Sequence, residues 1–190
     1  MKMAIRYLYN DTKYTSLWSL RQAIWQNEHK AYGNPITQQE WDEIGIDVTV
    51  EEYDPLDEMN IEQLRARCLS LLESQFTAYR NASTTYVNSS LGFKANANVT
   101  AYNNVDGILL QAEMGAGTLS EGKIAFMDFD NQVQMLDAEQ LKTLKLEISE
   151  NDSRAYGVKW QYRTQIEQAQ TNAQLKELMA FNFDPVVAEE

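Results

Sequence analysis

The chain's stock of nucleophile and base chemistry is small: one histidine, His29, and one cysteine, Cys68. A Ser-His or Cys-His mechanism would need His29 held against a nucleophile. His29 instead falls at the end of a predicted helix among polar residues. There an imidazole complements the helix dipole or faces water. One cysteine allows no internal disulfide, and the Cys/His count is too low for a zinc cluster. Asp128, Asp130 and Asn131 superficially resemble a calcium loop, but the pattern fails: Val133 stands where the loop's turn glycine belongs. Turn formation is the better account of these residues. Asp54, Asp57 and Glu58 are read as a solvated acidic linker rather than a cation site. Gly115 and Gly117 follow a helix instead of opening one, so they mark a helix stop and not a phosphate cradle. Asn81-Ala82-Ser83, Asn88-Ser89-Ser90 and Asn98-Val99-Thr100 match the glycosylation pattern but read as polar loops. A catalytic centre would need a dry pocket with two carboxylates of raised pKa, which no spacing here announces. No cofactor site is expected and the chain is read as a non-enzyme.

The aromatic residues offer a different chemistry. Trp18, Trp25 and Trp41 crowd the first quarter of the chain, and Trp160 stands alone near the end. Phe76 and Tyr79 lie on a strongly apolar helical stripe. These rings either pack a core or form an interface, because Trp and Tyr dominate protein-binding hot spots. Trp18, Trp25, Trp41, Phe76 and Tyr79 are therefore the candidate partner-binding residues, and an exposed aromatic groove would also suit sugar rings.

The elements that must position them are legible in order. Met1 to Tyr14 reads as a β-hairpin turning at Asn10-Asp11, with Ile5, Tyr7 and Tyr9 on one face. Ser16 caps a helix running to about Glu28, whose stripe is Leu17, Leu20 and Ile24. Thr37 and Glu40 form a capping box for a short helix that holds Trp41 and stops at Gly45. Ile46, Val48 and Val50 alternate as a strand. Asp54 to Asn60 has Pro55, three acids and no apolar period, and reads as a linker. Asn60 then caps a long helix with the stripe Ile61, Leu64, Cys68, Leu71, Leu72, Phe76 and Tyr79. Such a stripe is a core element or half of a helical pair with a partner chain. Ala82 to Ser90 reads as a surface loop and Leu91 to Ala97 as a strand. Asn98 caps a helix burying Tyr102, Val105, Ile108, Leu109 and Ala112.

From Ile124 onward the pattern is clearest. Two apolar runs flank Asp130-Asn131, residues that tolerate left-handed backbone angles, and predict a hairpin. Asp137 and Gln140 form a capping box, and Leu141, Leu144 and Ile148 give one helical stripe. Asn151, Asp152 and Ser153 are weak helix formers, so a kink is expected there. Tyr156, Trp160 and Ile166 with Ala169 read as a second stripe with aromatic anchors. A corner near Gln170 and a capping box at Thr171 and Gln174 predict a short closing helix. The fold class is α+β. A small N-terminal hairpin-plus-helices unit spans 1–53 and a linker 54–60. A helix-rich domain over 61–183 follows, with a short antiparallel sheet and a long C-terminal helix, and then an acidic tail over 184–190.

Several pieces of this second domain occur together in a recognisable order: Ser89-Ser90-Leu91-Gly92-Phe93, Ala95-Asn96-Ala97, Phe126-Met127-Asp128 and Asp130-Asn131. After them come Leu141 to Ile148, Tyr156, Lys159-Trp160, Ile166-Glu167, Ala169 and Thr171. From about Asn60 to Phe181 the chain resembles a domain of unknown function found in tail proteins of tailed bacteriophages, often encoded beside tail-fibre genes. The resemblance carries no catalytic residue. It implies a phage tail accessory protein that binds a tail-fibre or tail-tip protein as an assembly chaperone or adaptor. The alternative it implies is a permanent structural component of the virion tail. The implied setting is the bacterial host cytoplasm during assembly, and the virion tail for a subunit that stays in the particle.

Composition agrees with a folded, protein-binding chain. The 190 residues are 44% apolar, with ten Tyr, six Phe and four Trp, which can build a core. The net charge of −12 argues against nucleic acid and anionic membranes as partners. No long apolar run of membrane-spanning length occurs, and residues 1–9 lack a signal-peptide pattern. A homo-oligomer is compatible with the wide stripe of the helix after Asn60.

Overall fold

A computed structural model describes residues 3–28, 34–35, 37–115 and 122–184. The chain divides into two compact units, Met1–Asn60 and Ile61–Glu190. The result is the α+β class expected, with two small antiparallel ribbons and a long helix in the second unit. His29, Ala116, Gly117 and the acidic residues after Asp184 lie outside the described residues.

The first unit is a three-stranded antiparallel sheet with two helices. Strands β1 (Ala4–Tyr9) and β2 (Thr12–Tyr14) form the predicted hairpin, and β3 (Thr49–Tyr53) pairs on the other side of β1. Asn10 and Asp11 both sit at positive φ, 49° and 59°. That is the type I′ turn whose twist matches the strands it joins. Helix α1 (Leu17–Glu28) buries Leu20 and Ile24 with the sheet, and helix α2 (Gln38–Ile44) buries Trp41. Tyr7, Tyr9, Leu20, Ile24, Trp41, Ile46 and Val48 form one core. Ile5, on the same face as Tyr7 and Tyr9, is exposed. The capping box closes as expected: the Thr37 hydroxyl accepts from the Glu40 N–H at 3.3 Å, and the Thr37 N–H donates to Glu40 Oε2 at 2.9 Å. Gly45 ends α2 at φ 71°. Gln38 then docks α2 beside β3. Its amide donates to the Val48 carbonyl at 2.9 Å and accepts from the Val50 N–H at 2.8 Å, copying the pattern of a paired strand.

The expected linker is a folded turn. Asp54 accepts from the Leu56 N–H through its side chain (3.0 Å) and from the Asp57 N–H through its carbonyl (2.9 Å). Leu56 is buried, and Glu58 pairs with Arg6 and Lys13. An Asx turn thus gives this acidic stretch a structure that hydrophobic periodicity alone does not reveal.

The second unit begins with α3 (Ile61–Asn81). Strands β4 (Tyr86–Asn88) and β5 (Lys94–Asn96) follow, then α4 (Val99–Glu113). A second ribbon, β6 (Ile124–Met127) and β7 (Val133–Leu136), leads into α5 (Ala138–Gln168) and α6 (Asn172–Glu177). α5 is the spine: it packs along α3 and α4, while α6 folds back on α3. The core joins Ala95, Ala97, Val105, Leu109, Phe126 and Leu136 to Leu141, Leu144 and Ile148. Cys68 is fully buried and its thiol donates to the Leu175 carbonyl at 3.4 Å. Burial pushes that thiol's pKa up, so it is a packed, unreactive group.

Three expectations change here. The Ala82–Ser90 stretch contains β4, because Thr85 is buried and bonded: its carbonyl accepts from the Ala97 N–H at 2.9 Å and its hydroxyl donates to the Tyr79 carbonyl at 2.6 Å. α5 runs unbroken through Asn151–Ser153. Tertiary partners outweigh the weak propensity there. Asn151 is buried and bonded to Arg154 at 2.9 Å, while Asp152 takes a two-pronged pair from Arg80 at 2.6 and 3.0 Å. Finally, of the expected stripe Ile166 and Ala169 are buried, but Trp160 faces outward and Tyr156 covers Phe76 while 37% exposed, and Asn151 and Ala155 take the inward positions before Ile166.

Candidate partner-binding surfaces

Of the five aromatic candidates, two remain at the surface. The Ser16 hydroxyl accepts from the Ser19 N–H at 3.2 Å and fixes the start of α1. That phase turns Leu20 and Ile24 inward and Trp18 and Trp25 outward. Seven residues at 1.5 Å each place the two indoles about 10 Å apart along one stripe. Arg21 and Gln22, both exposed, lie between them. Trp18 is 72% and Trp25 53% exposed, in a unit otherwise able to bury Trp41 completely. Arg21 donates to Asn34 at 2.7 Å.

The other three are corrected. Trp41 exposes nothing and packs edge-on to Tyr7 at 6.3 Å. Phe76 is buried against Tyr156 at 4.7 Å and Phe183 at 5.5 Å. Tyr79 is half-buried, its hydroxyl accepting from Arg154 at 3.0 Å and its ring against Phe183 at 5.7 Å. A ring without accessible surface offers none to a partner, so Trp41 and Phe76 are core residues, while Tyr79 keeps part of its surface with its ring and hydroxyl engaged inside the unit. The α3 stripe is likewise covered within the unit: Leu64, Cys68, Leu72 and Phe76 are all buried.

A small pocket of about 220 Å³ lies where α3, α4 and α5 meet, lined by Arg80, Asn98, Tyr102, Ser149 and Asp152 among others. Its charges are matched internally. Asp152 holds Arg80 in the fork, and the Tyr156 hydroxyl accepts from Arg80 at 3.1 Å. Asn98 spends its side chain capping α4, accepting from the Ala101 N–H at 2.8 Å and donating to the Ala82 carbonyl at 3.1 Å.

The acidic hairpin turn is built for folding. Asp128 is buried, and Oδ1 accepts from the Gln132 N–H at 2.7 Å and the Asp130 N–H at 3.0 Å, while Oδ2 accepts from Gln134 at 2.7 Å. Glu139, twelfth from Asp128 inclusive, sits on α5 and pairs with Lys142 at 2.9 Å. Asn131 takes the left-handed angle, φ 59°, that its place in the turn needs. Among the described residues no cluster of three or more metal-ligating side chains occurs.

The Ser89-Ser90-Leu91-Gly92-Phe93 motif is also a turn. Ser89 accepts from the Leu91 N–H through its hydroxyl and from the Gly92 N–H through its carbonyl, and its own N–H donates to the Phe93 carbonyl. Gly92, at φ 91°, takes a conformation that a side chain would strain. Glu147 reaches over from α5 and accepts from the Ser90 N–H at 2.9 Å. Sequence reasoning missed Glu147 because its partner lies 57 residues away.

Both carboxylates make stability depend on pH. For Asp128 the Gln132 N–H, aided by Gln134 and Asp130, outweighs burial and lowers the pKa below the usual 3.8. For Glu147 burial pushes upward, but Ser89 and Ser90 together pull the pKa below the usual 4.5. A depressed folded pKa stabilises fully above the unfolded value and loses that contribution as pH falls through the folded one. Thermal melts are therefore expected to hold steady near neutrality and to drop below about pH 4.5. Glu147→Gln combined with Asp128→Asn should flatten part of that drop.

The chain belongs to the family described as a domain of unknown function, DUF4376, which matches residues 55–181. No curated protein and no solved structure matches the chain. The matched region takes in the acidic turn and most of the second unit, including the Ser89–Phe93 turn and its Glu147 brace. Trp18 and Trp25 fall outside it. No helix among the described residues is long and apolar enough to cross a membrane.

Proposed function

We propose that this protein is a non-enzymatic phage tail accessory protein that binds a tail-fibre or tail-tip protein as an assembly chaperone or adaptor. The phage setting rests on the resemblance of the second unit to tail proteins. The binding role rests on one observation: Trp18 and Trp25 lie on one stripe of α1 with more than half of each side chain exposed. Exposed indoles are costly to leave in water and are the side chains that carry most binding energy at interfaces. The acidic chain keeps its distance from nucleic acid and stays soluble while presenting them. The work would take place in the host cytoplasm during assembly.

Co-expression with a candidate tail-fibre protein, followed by size-exclusion chromatography with mass determination, tests this reading. A stoichiometric complex is expected. Trp18→Ala and Trp25→Ala should each weaken it by at least about 2 kcal/mol, roughly 30-fold in Kd, if they are hot spots. The melting temperature should barely move, because neither indole is buried. A chain indifferent to every tail protein would end the proposal. Mass spectrometry of purified virions separates a chaperone, absent from the particle, from a permanent subunit at fixed copy number.

A further inference from the structure

Phe181, Asn182, Phe183 and Asp184 follow α6 without regular structure, yet they are held as a binding protein holds an extended peptide. Exposure alternates along them. Phe183 is buried and Phe181 half-buried, while Asn182 and Asp184 face water. Phe183 enters a seat between α3 and α5, with Phe76, Tyr79 and Tyr162 around it. Phe181 lies edge-on to Tyr162 at 5.0 Å. The polar contacts of the seat go to backbone. The Asn182 N–H donates to the Tyr162 hydroxyl at 3.2 Å, and the Phe183 carbonyl accepts from Arg154 at 2.7 Å. Sites for extended peptides divide recognition in this way: main-chain bonds give affinity and alternate side chains give specificity.

The seat keeps its shape through partners other than the segment. Arg154 is also placed by Asn151 at 2.9 Å and by the Tyr79 hydroxyl at 3.0 Å, and both stay when the segment leaves. Phe76 is backed edge-on by Tyr156 at 4.7 Å, and the Lys159 ammonium lies over its ring at 4.6 Å. An emptied seat therefore retains aromatic walls and a cation aimed at a peptide carbonyl. Such preorganisation lowers the cost of binding. Phe76, Tyr79, Arg154 and Tyr162 all lie within the matched family region, 55–181, whereas Phe183, the ring that fills the seat, follows it.

We propose that this seat is a binding site for an extended protein segment with two aromatic side chains one residue apart, and that Phe181 to Asp184 fill it in cis as a displaceable strap. A partner with that pattern takes the seat by displacing the strap. The site lies in the second unit and is independent of Trp18 and Trp25. The probe is a synthetic peptide of residues 179–184, Met-Ala-Phe-Asn-Phe-Asp, blocked at both ends. In large excess over the isotope-labelled full chain, it should move the Asn182 and Asp184 amide resonances to unstructured positions and leave those of Leu144 and Ile148 in place. In the full-length Phe183→Ala variant the seat is open. Fluorescence anisotropy should then show binding at least about tenfold tighter than to the wild type, where the strap competes. The bound peptide should restore part of the melting temperature that the variant loses. A peptide carrying Phe183→Ala should have none of these effects, and Trp18→Ala in the full chain should alter none of them. Wild-type Asn182 and Asp184 resonances that stay fixed in excess peptide would overturn the proposal, whether or not the variant folds. So would a folded Phe183→Ala chain that binds the peptide no better than the wild type, or binding that needs Trp18 or survives loss of the peptide's Phe183 ring.

Discussion

Trp41→Ala is expected to unfold the first unit and leave the helices of the second in place. Trp41 is fully buried, and its indole packs edge-on to Tyr7 within a core shared by Tyr9, Leu20, Ile24, Ile46 and Val48. Removing a buried Trp side chain costs about 3–5 kcal/mol in lost contacts and residual cavity. A domain of some sixty residues has little stability to lose, because so small a chain buries a modest share of its surface. The second unit has its own core around Phe126, Leu141, Leu144 and Ile148. Circular dichroism should therefore show a partial loss of helix, and amide NMR resonances from α3 to α6 should persist. Loss of the whole spectrum would show that the two cores fold as one. Trp41→Phe, which keeps an aromatic ring in the site, should retain most of the first unit and so separate packing from any effect of the variant on expression.

Phe183→Ala should destabilise the second unit almost as strongly, although the residue follows the last helix in a segment of no regular structure. Phe183 is buried, with Phe76, Tyr79 and Tyr162 around it at ring distances of 5.5, 5.7 and 6.3 Å. Arg154 holds the same segment by its backbone. The two N–H groups of one guanidinium nitrogen are shared among the Phe183 carbonyl at 2.7 Å, Asn151 at 2.9 Å and the Tyr79 hydroxyl at 3.0 Å. The Phe truncation should cost about 3–5 kcal/mol. Arg154→Ala should cost roughly 1.5–3 kcal/mol, the range for hydrogen bonds to a charged group. Because both residues act on one segment, the double variant should cost less than the sum, with a coupling of at least about 0.5 kcal/mol. Chemical denaturation measures all three. Limited proteolysis gives a second reading: release of the segment should expose a new cleavage site near Phe181 in either variant. Additive costs and an unchanged digest would show that the segment is not held in this way.

The hairpins and helix starts were legible because their causes are local. Asn10-Asp11 and Asp130-Asn131 specify left-handed turns, and Thr37, Asp137 and Thr171 each meet a Glu or Gln three residues on. A capping box or a turn is decided within four residues, so the sequence displays it directly. The stripes Leu20–Ile24, Leu64–Cys68–Leu72 and Leu141–Leu144–Ile148 also went where their spacing placed them. Composition bounded the chemistry too: with one histidine and one cysteine, few nucleophilic or metal-binding schemes were open. The apolar Ile-Ala-Phe-Met run even signals that β6 has no polar face, a feature that strict attention to alternation passes over.

What tertiary structure decided was which apolar and polar groups find partners far along the chain. Trp18, Trp25 and Trp41 are the same residue type in neighbouring helices, yet only the last is buried, because burial depends on which helix face meets the sheet. Tyr156 and Trp160 were expected on one stripe with Ile166; Ile166 is buried as expected, but α5 turns Ala155 inward and leaves Trp160 outside, with the buried amide of Asn151 satisfied by Arg154. The helix passes through Asn151-Asp152-Ser153 because Arg80, 72 residues earlier, holds Asp152. The Ser89–Phe93 turn depends on Glu147, and the acidic stretch after Tyr53 is anchored by Arg6. Local propensities differ by tenths of a kcal/mol to about 1, whereas a buried polar group left without its partner costs about 1–3. Where the two conflict, the distant partner prevails, and no window of sequence contains it.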